Sequence, residues 1–151
     1  MEVYRITLSK WAGKLVGSGY PVRWNSKGRF VVYTAGSRSL ATLENLVHRS
    51  GEGLNKNFKV ITIHIPKEIK VKSIRQNSLE KNWTRFNKVS ETRNRGDHWI
   101  DSKTSAVLKV PSAIIPDESN YLLNPAHPDF FKIQILKTEA FVFDSRLTIE
   151  K

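Results

Sequence analysis

Alternating apolar and polar residues predict several short β-strands along the chain. The clearest covers 58–65 (FKVITIHI), where isoleucines at 61, 63 and 65 share one face. Residues 30–34 are apolar enough to predict a strand buried on both faces, paired in a hairpin with 22–24 across a turn at 25–28. The other predicted strands cover 3–8, 69–74, 106–110, 121–123, 131–135 and the residues from 141 onward.

One helix is predicted with a clear apolar stripe, starting near residue 38. Either Ser37 or Ser39 is expected to cap its N-terminus, and glycines at 51 and 53 are expected to end it. Glu44 borders the stripe. The stripe consists of four aliphatic residues at spacings of three and four, namely Leu40, Leu43, Leu46 and Val47.

Two stretches are harder to interpret. Residues 77–97 show no clear period, and we interpret Trp83 and Phe86 as anchors of a basic loop or an irregular helix. The sequence GDHW at 96–99 is interpreted as a turn. A short helix is expected at 10–16 and a rigid, proline-containing turn at 124–129. Many short strands, one clear helix and long loops indicate an α+β domain.

Length and composition narrow the class of protein. A chain of 151 residues is long enough for one well-buried core, so we expect a single domain over 1–151. It contains no cysteine, which excludes disulfides, cysteine metal sites and a thiol nucleophile and favours a cytoplasmic location. The N-terminal residues are not expected to be a signal peptide, and no apolar run is long enough to predict a membrane span. Its four histidines lack metal-binding spacing, so no metal site is predicted.

The positive charge is concentrated in one part of the sequence. The formal net charge is +11, and nine Lys or Arg residues fall between Lys67 and Arg95. Such a segment suits a polyanion or an acidic partner, and equally suits a solvated surface. With Trp83 and Phe86 available for stacking, a basic nucleic-acid-binding module is the alternative function of another class.

Residues 23–44 hold the first candidate site. Arg23, Tyr33 and Glu44 place a cation, an aromatic ring and a carboxylate on consecutive elements. Two interpretations are open at this point: a binding site, or ordinary surface and core residues.

Several segments, in the same order, resemble the RES domain family of bacterial toxins. They are YRI at 4–6, RWN at 23–25, YTA at 33–35, LE at 43–44, GDHW at 96–99, VPS at 110–112, NYLLNPAHPD at 120–129 and FDSRL at 143–147. The resemblance covers nearly the whole chain, and VPS with NYLLNPAHPD is its most specific part. One departure is Pro21 and Val22, where the family usually has glycines.

The resemblance implies a fold and an activity. The fold would be similar to ADP-ribosyltransferase toxins, with two small twisted sheets around a nucleotide cleft and peripheral helices. The activity would be that of a type II toxin that cleaves the nicotinamide–ribose bond of NAD+ by hydrolysis or phosphorolysis, or transfers ADP-ribose to a protein. NAD+ would then be a substrate, with no separate cofactor. The implied protein partner is an Xre-type antitoxin, with no membrane contact and nucleic acid reached only through that antitoxin. A homo-oligomer stays open.

The resemblance also assigns residues. Arg23, Tyr33 and Glu44 are the implied catalytic residues, and Arg23, Tyr33, Ser112 and Asn124 are the implied NAD+-binding residues. Glu44 would stabilise positive charge on the ribose, Arg23 would donate to a phosphate or a carboxamide, and Tyr33 would stack on the nicotinamide ring.

Each residue also has a structural alternative. These alternatives are a solvated helix-edge carboxylate for Glu44, a surface ion pair for Arg23 and a core position for Tyr33. For Ser112 and Asn124 the alternative is a turn residue bonded to its own backbone.

Overall fold

The computed structural model describes residues 1–51 and 53–147. This part of the chain forms an α+β fold of seven β-strands and two α-helices. In chain order they are β1 (Glu2–Leu8), β2 (Val32–Ala35), α1 (Arg38–His48), β3 (Phe58–His64), β4 (Val71–Ser73), α2 (Val89–Ser102), β5 (Val107–Pro111), β6 (Ser119–Leu123) and β7 (Gln134–Phe141). No helix in the described ranges is long and apolar enough to cross a membrane.

The strands form one continuous sheet with the order β4-β5-β6-β2-β1-β3-β7. All neighbours are antiparallel except β4 and β5, which are parallel. The expectation of two separate sheets is therefore corrected, although the join is narrow. Strands β1 and β2 pair only where Tyr4 faces Ala35, whereas β1 and β3 pair along the whole of β1. Strand periodicity shows which residues share a face and does not show which distant strands pair at their edges.

Helix α1 is rotated relative to the predicted stripe. Ser37 caps it, as one of the two predicted caps, because its Oγ accepts the Leu40 N–H at 3.0 Å. Leu40 and Ala41 are buried, but Val47 is 57% exposed. The prediction that Leu43 and Val47 belong to the buried face is wrong. Residues four apart share a helix face, so Glu44 lies on the same side of α1 as the buried Leu40 and is turned toward the protein.

Helix α2 replaces the predicted turn at 96–99 and covers the last part of the stretch expected to be a basic loop or an irregular helix. Residues 77–88 before it contain no α-helix and no strand. The helix runs without interruption to Ser102 and is followed by Lys103, which has a left-handed φ of 48°. Its buried face consists of Thr92, Gly96, Trp99 and Ile100. The positions follow a helical period, but a threonine and a glycine stand where an apolar stripe would have leucines, so hydrophobic periodicity does not detect it.

Other predicted elements shift or disappear. The hairpin is wrong, because β2 pairs with β1 and β6 and residues 22–24 contribute only a bridge between Val22 and Asn25. Phe30 is 55% exposed, so the segment before β2 is not buried on both faces. The helix expected at 10–16 is a single 3-10 turn at Ser9–Trp11. The two predicted C-terminal strands are one strand, β7, preceded by a 3-10 turn at Phe130–Lys132.

The core is divided into three clusters, and one of them supports the candidate site. In that cluster Trp24, Trp83 and Trp99 pack against buried aliphatic residues of β5 and β6. The ring centres of Trp24 and Trp83 are 6.2 Å apart. Large aromatic side chains at this point fix the loop before β2 against helix α2.

Candidate active site

The carboxylate of Glu44 accepts two hydrogen bonds, one from the residue that follows β5 and one from a residue of β6. Its Oε1 accepts from Ser112 Oγ at 2.8 Å and from Asn120 Nδ2 at 2.6 Å. Ser112 follows β5 directly and Asn120 lies in β6, whereas Glu44 lies in α1. Three elements that are distant in sequence therefore hold one carboxylate oxygen. Within residues 1–51 and 53–147, no hydrogen bond engages Oε2, so that oxygen is available for a ligand.

The Ser112 hydroxyl is oriented as a hydrogen-bond donor by two backbone N–H groups that follow it. Its Oγ accepts from the N–H groups of Ile114 at 3.0 Å and Ile115 at 3.1 Å, and the residue is fully buried. Because two donors occupy the oxygen, its hydrogen is directed to Glu44. Ser112 is thus a turn residue, as its structural alternative states, and the same hydroxyl also holds the candidate carboxylate. A donor that is fixed before any ligand arrives costs no reorganisation during a reaction.

Arg23 contacts the backbone of a distant loop. Its Nη1 donates to the Trp83 carbonyl at 2.9 Å and its Nη2 donates to the Thr84 carbonyl at 2.8 Å. The guanidinium carbon also lies 5.7 Å from the centre of the Trp83 ring. The alternative of a surface ion pair is therefore wrong. Two of the five N–H groups are engaged in these bonds, which leaves the others free to meet an anion.

The charges around Arg23 show which groups share its surroundings. Partial burial lowers the pKa of the Arg23 guanidinium, nearby Glu44 and Tyr33 act in the raising direction, and Arg93 acts in the lowering direction. Glu44, Tyr33 and Arg93 are thus groups whose charges act on Arg23 through space. Arg93, for which the sequence interpretation had no role, adds a second cation.

Helix α2 positions the segment that carries Arg23. Thr92 Oγ1 donates to the Arg23 carbonyl at 2.7 Å, and Arg93 Nε donates to the Val22 carbonyl at 2.7 Å. At Gly96 the helix approaches so closely that a Cβ atom would lie 1.7 Å from the Trp24 carbonyl oxygen. Of the two residues that depart from the family pattern, Val22 is therefore bonded directly by the helix.

Tyr33 uses its hydroxyl within the loop before β2. Its OH donates to Asn25 Oδ1 at 2.6 Å and accepts the Trp24 N–H at 3.2 Å. Burial raises the pKa of the Tyr33 phenol above its ordinary value, with the Trp24 N–H and Arg93 opposing the rise. The hydroxyl is therefore a neutral structural donor, and the half-buried ring is the part that can contact a ligand.

This arrangement can be compared with known proteins. Residues 2–144 match the family model described as the RES domain. This chain belongs to the RES domain family. A Toxin Res of Photorhabdus laumondii is 39% identical to this RES domain over 160 aligned residues, covering 100% of this chain and 99% of the relative. A Prs ADP-ribosylating toxin of Sphingobium sp. is 36% identical over 141 residues, covering 90% of this chain and 88% of the relative.

A solved structure shows that the fold is shared more widely. This RES domain superposes on a chain from the M. tuberculosis MbcT-MbcA toxin-antitoxin complex with a TM-score of 0.76. The match covers 93% of this chain and 84% of that chain at 16% sequence identity. At this identity the likeness concerns the fold.

The side chain of Asn124 is hydrogen-bonded within this RES domain. It is fully buried, its Nδ2 donates to the Ile100 carbonyl at 3.1 Å and its Oδ1 accepts the Ala126 N–H at 3.0 Å. Both ends of the amide are therefore satisfied within the turn. These bonds agree with the alternative of Asn124 as a turn residue, and its binding of NAD+ stays a prediction.

Asn120 is the site residue that the sequence interpretation left without a role. It stands at the start of NYLLNPAHPD, and that motif was the only signal for it. Its Nδ2 bonds Glu44, whereas its Oδ1 is buried and has no hydrogen-bond partner in the described part of the chain. Buried polar atoms without a partner are uncommon, and each calls for an explanation.

The basic segment separates into two environments. Trp83 is only 4% exposed and packs in the tryptophan cluster, whereas Phe86 is 85% exposed. Of these two rings, only Phe86 is free to stack on a base, which weakens the nucleic-acid interpretation.

An open groove of about 540 Å³, lined by residues 75–77 and 79–83, shares Trp83 with the Arg23 contact. Within 1–51 and 53–147, no group of three His, Cys, Asp or Glu residues is placed to hold a metal ion.

Proposed function

We propose that this RES domain is the toxin of a bacterial type II toxin–antitoxin system and that it cleaves the nicotinamide–ribose bond of NAD+. The observation that carries the proposal is the held carboxylate of Glu44. Two donors fix Oε1, no described residue bonds Oε2, and the Glu44 charge acts on Arg23. An anionic dinucleotide with a cationic ring and ribose hydroxyls has a complementary group for each of these side chains.

The reaction needs only one carboxylate. The bond between ribose C1′ and the nicotinamide nitrogen breaks with its electron pair moving to the nitrogen, so the pyridinium leaves as neutral nicotinamide without a general acid. Positive charge develops at the ribose as an oxocarbenium ion, as in glycoside cleavage. In hydrolysis, water then bonds to C1′ and releases a proton, which gives ADP-ribose. In this proposal Glu44 stabilises the ribose cation, and such fixed electrostatic stabilisation is typically worth about 100- to 1000-fold in rate.

Arg23 and Tyr33 support this step in different ways. Arg23 holds the loop at 83–84 through two carbonyls and keeps N–H groups for an anionic or carbonyl oxygen of the substrate. Tyr33 has no free hydroxyl donor, so it contributes its ring face to the cationic nicotinamide. The groove lined by residues 75–77 and 79–83 adds Arg75 and Lys81 near the same loop, which suits the phosphates of the dinucleotide.

A second candidate is transfer of ADP-ribose to a protein. It is favoured by the Sphingobium relative, which is named as a Prs ADP-ribosylating toxin. The same C1′–nitrogen bond breaks in this reaction, and a protein side chain takes the place of water. The carboxylate chemistry at Glu44 is unchanged, so the acceptor is the only difference between the two candidates.

One experiment separates these outcomes. Pure protein is incubated with NAD+ in buffer, in buffer with phosphate, and in a clarified bacterial extract, and free nicotinamide is measured in each. ADP-ribose, its 1-phosphate or a labelled protein band identifies water, phosphate or protein as the acceptor. We expect nicotinamide release in at least one condition. No release in any of the three would overturn the proposed chemistry.

The antitoxin partner is proposed on the same basis. The solved neighbour comes from a toxin–antitoxin complex, and the Photorhabdus relative is named a toxin. We expect expression of this chain to stop bacterial growth and co-expression of a cognate Xre-type antitoxin to restore it. Growth arrest that persists in a Glu44→Gln variant would contradict the link between toxicity and the carboxylate.

A further inference from the structure

The unpaired oxygen of Asn120 is the starting observation. Asn120 lies in β6 opposite Ala35 of β2 and Val110 of β5, so strands on both sides fix its backbone. Its Oδ1 is buried without a hydrogen-bond partner in residues 1–51 and 53–147. Leaving a buried acceptor unsatisfied costs about 1–3 kcal/mol in a folded protein. The fold therefore carries a cost at this point that a ligand can relieve.

The orientation of the amide is not free. Asn120 Nδ2 lies 2.6 Å from Glu44 Oε1, which accepts and cannot donate while the carboxylate is charged. A rotated amide would place its oxygen against that carboxylate oxygen. The contact with Glu44 thus fixes Nδ2 as the inward donor and leaves Oδ1 as an acceptor only.

We infer that Asn120 is a substrate-contacting residue whose Oδ1 accepts a hydrogen bond from a donor on the nicotinamide–ribose half of the substrate. The inference rests on the proposed function. A hydrogen bond of about 3 Å to Oδ1 keeps that donor beside the carboxylate that stabilises the ribose cation. Two groups of NAD+ have this chemistry in that region, the carboxamide N–H and the ribose hydroxyls. One amide would then both position Glu44 and select for a donor on the substrate.

The test combines a protein variant with substrate analogues. Wild type and Asn120→Ala are assayed by nicotinamide or pyridine release, comparing kcat/KM for NAD+ with two analogues. One analogue has an acetyl group in place of the carboxamide, which removes the N–H donor. The other has fluorine in place of the 2′-hydroxyl of the nicotinamide ribose. The cycle cancels the intrinsic reactivity of each analogue, because a coupling arises only where the protein variant and the analogue remove the same hydrogen bond.

We expect wild type to discriminate against one of the analogues about tenfold more strongly than Asn120→Ala does, the factor that one hydrogen bond typically contributes. The analogue that shows the coupling identifies the carboxamide or the ribose as the donor. Ser119→Ala serves as the control, because its side chain points to the other face of β6 and should leave discrimination as in wild type.

The outcomes distinguish a failure of the proposed function from a failure of the role of Asn120. If wild type releases no nicotinamide from NAD+, the proposed function fails and this inference fails with it. If wild type is active and neither analogue shows a coupling with residue 120, only the role of Asn120 is overturned. If Asn120→Ala does not fold, Asn120→Ser keeps a small polar side chain and replaces it in the cycle. Discrimination by Asn120→Ser equal to wild type would likewise overturn the inference.

Discussion

Replacing Gly96 with alanine tests whether the contact between α2 and the Trp24 backbone positions the site. The added Cβ would lie 1.7 Å from the Trp24 carbonyl oxygen and 2.7 Å from the carbonyl carbon. Both atoms belong to the backbone, so a change of rotamer cannot relieve the clash. The helix and the loop must separate by about 1.7 Å before the new carbon reaches ordinary van der Waals distance.

The magnitude follows from three terms. Overpacking of this kind costs about 1–3 kcal/mol. Separation also weakens the bonds from Thr92 to the Arg23 carbonyl and from Arg93 to the Val22 carbonyl, at about 1 kcal/mol each. Alanine in a helix returns at most about 1 kcal/mol through its higher propensity. The net loss of unfolding free energy is about 2–4 kcal/mol, which lowers Tm by roughly 10 °C in a chain of this size.

The assay is thermal and denaturant unfolding of Gly96→Ala beside wild type, with nicotinamide release measured on the same samples. Gly13→Ala is the matched control, because no atom lies within 4 Å of a Cβ at that position. We expect the control to change unfolding free energy by less than about 1 kcal/mol. Because Arg23 and Trp24 move with the loop, Gly96→Ala should also lose activity, by about 100-fold for a displacement near 1 Å.

Helix propensity alone predicts that Gly96→Ala raises the unfolding free energy. A variant with an unchanged or raised Tm and normal activity would refute the argument that close packing at Gly96 holds Arg23 in place.

Three further predictions concern single side chains. Tyr33 has a raised pKa when folded, so its stabilising contribution is complete below its unfolded pKa of about 10 and is lost as pH rises above that value. In urea unfolding between pH 9 and 11, the unfolding free energy of wild type should therefore fall by up to about 1.4 kcal/mol per pH unit more than that of Tyr33→Phe. Equal slopes of unfolding free energy against pH would contradict this. Ser37→Ala should cost about 1 kcal/mol of stability through loss of the helix cap, whereas Ser39→Ala inside α1 should cost nothing measurable by the same unfolding assay. Asn124→Ala should destabilise by about 2 kcal/mol, because it leaves the Ile100 carbonyl and a turn N–H unpaired; an unchanged Tm would return Asn124 to consideration as a ligand residue.

Most of the strands and one helix could be predicted because their patterns are local. The isoleucines of β3 alternate with a period of two, and Ser37 precedes a helical period. Helix α2 could not be predicted this way. Its buried face contains Thr92 and Gly96, whose packing depends on carbonyls of a loop about 70 residues earlier. Hydrophobic periodicity therefore misses a helix whose buried face includes small and polar residues that contact another backbone.

The candidate site was predicted in part. The resemblance assigned Glu44 and Ser112, and the structure joins them by a hydrogen bond. Asn120 was missed, and Asn124 forms its hydrogen bonds within the turn, although both lie in the same short motif. A motif cannot show which of its two asparagines points toward α1, because that depends on how β6 pairs with β2 and β5. The partners of Arg23 at 83–84 are likewise set by tertiary packing.

The central claim is that Glu44 stabilises the ribose cation when NAD+ is cleaved. The most direct measurement is the rate of nicotinamide release by wild type, Glu44→Gln and Glu139→Gln under identical conditions. Glu139 of β7 is the control glutamate, since it pairs with Arg38 of α1 and Lys137 of β7, and partly exposed pairs contribute little. We predict that Glu44→Gln lowers kcat at least about 100-fold with an unchanged fold, while Glu139→Gln stays close to wild type. A Glu44→Gln variant as active as wild type would contradict the account.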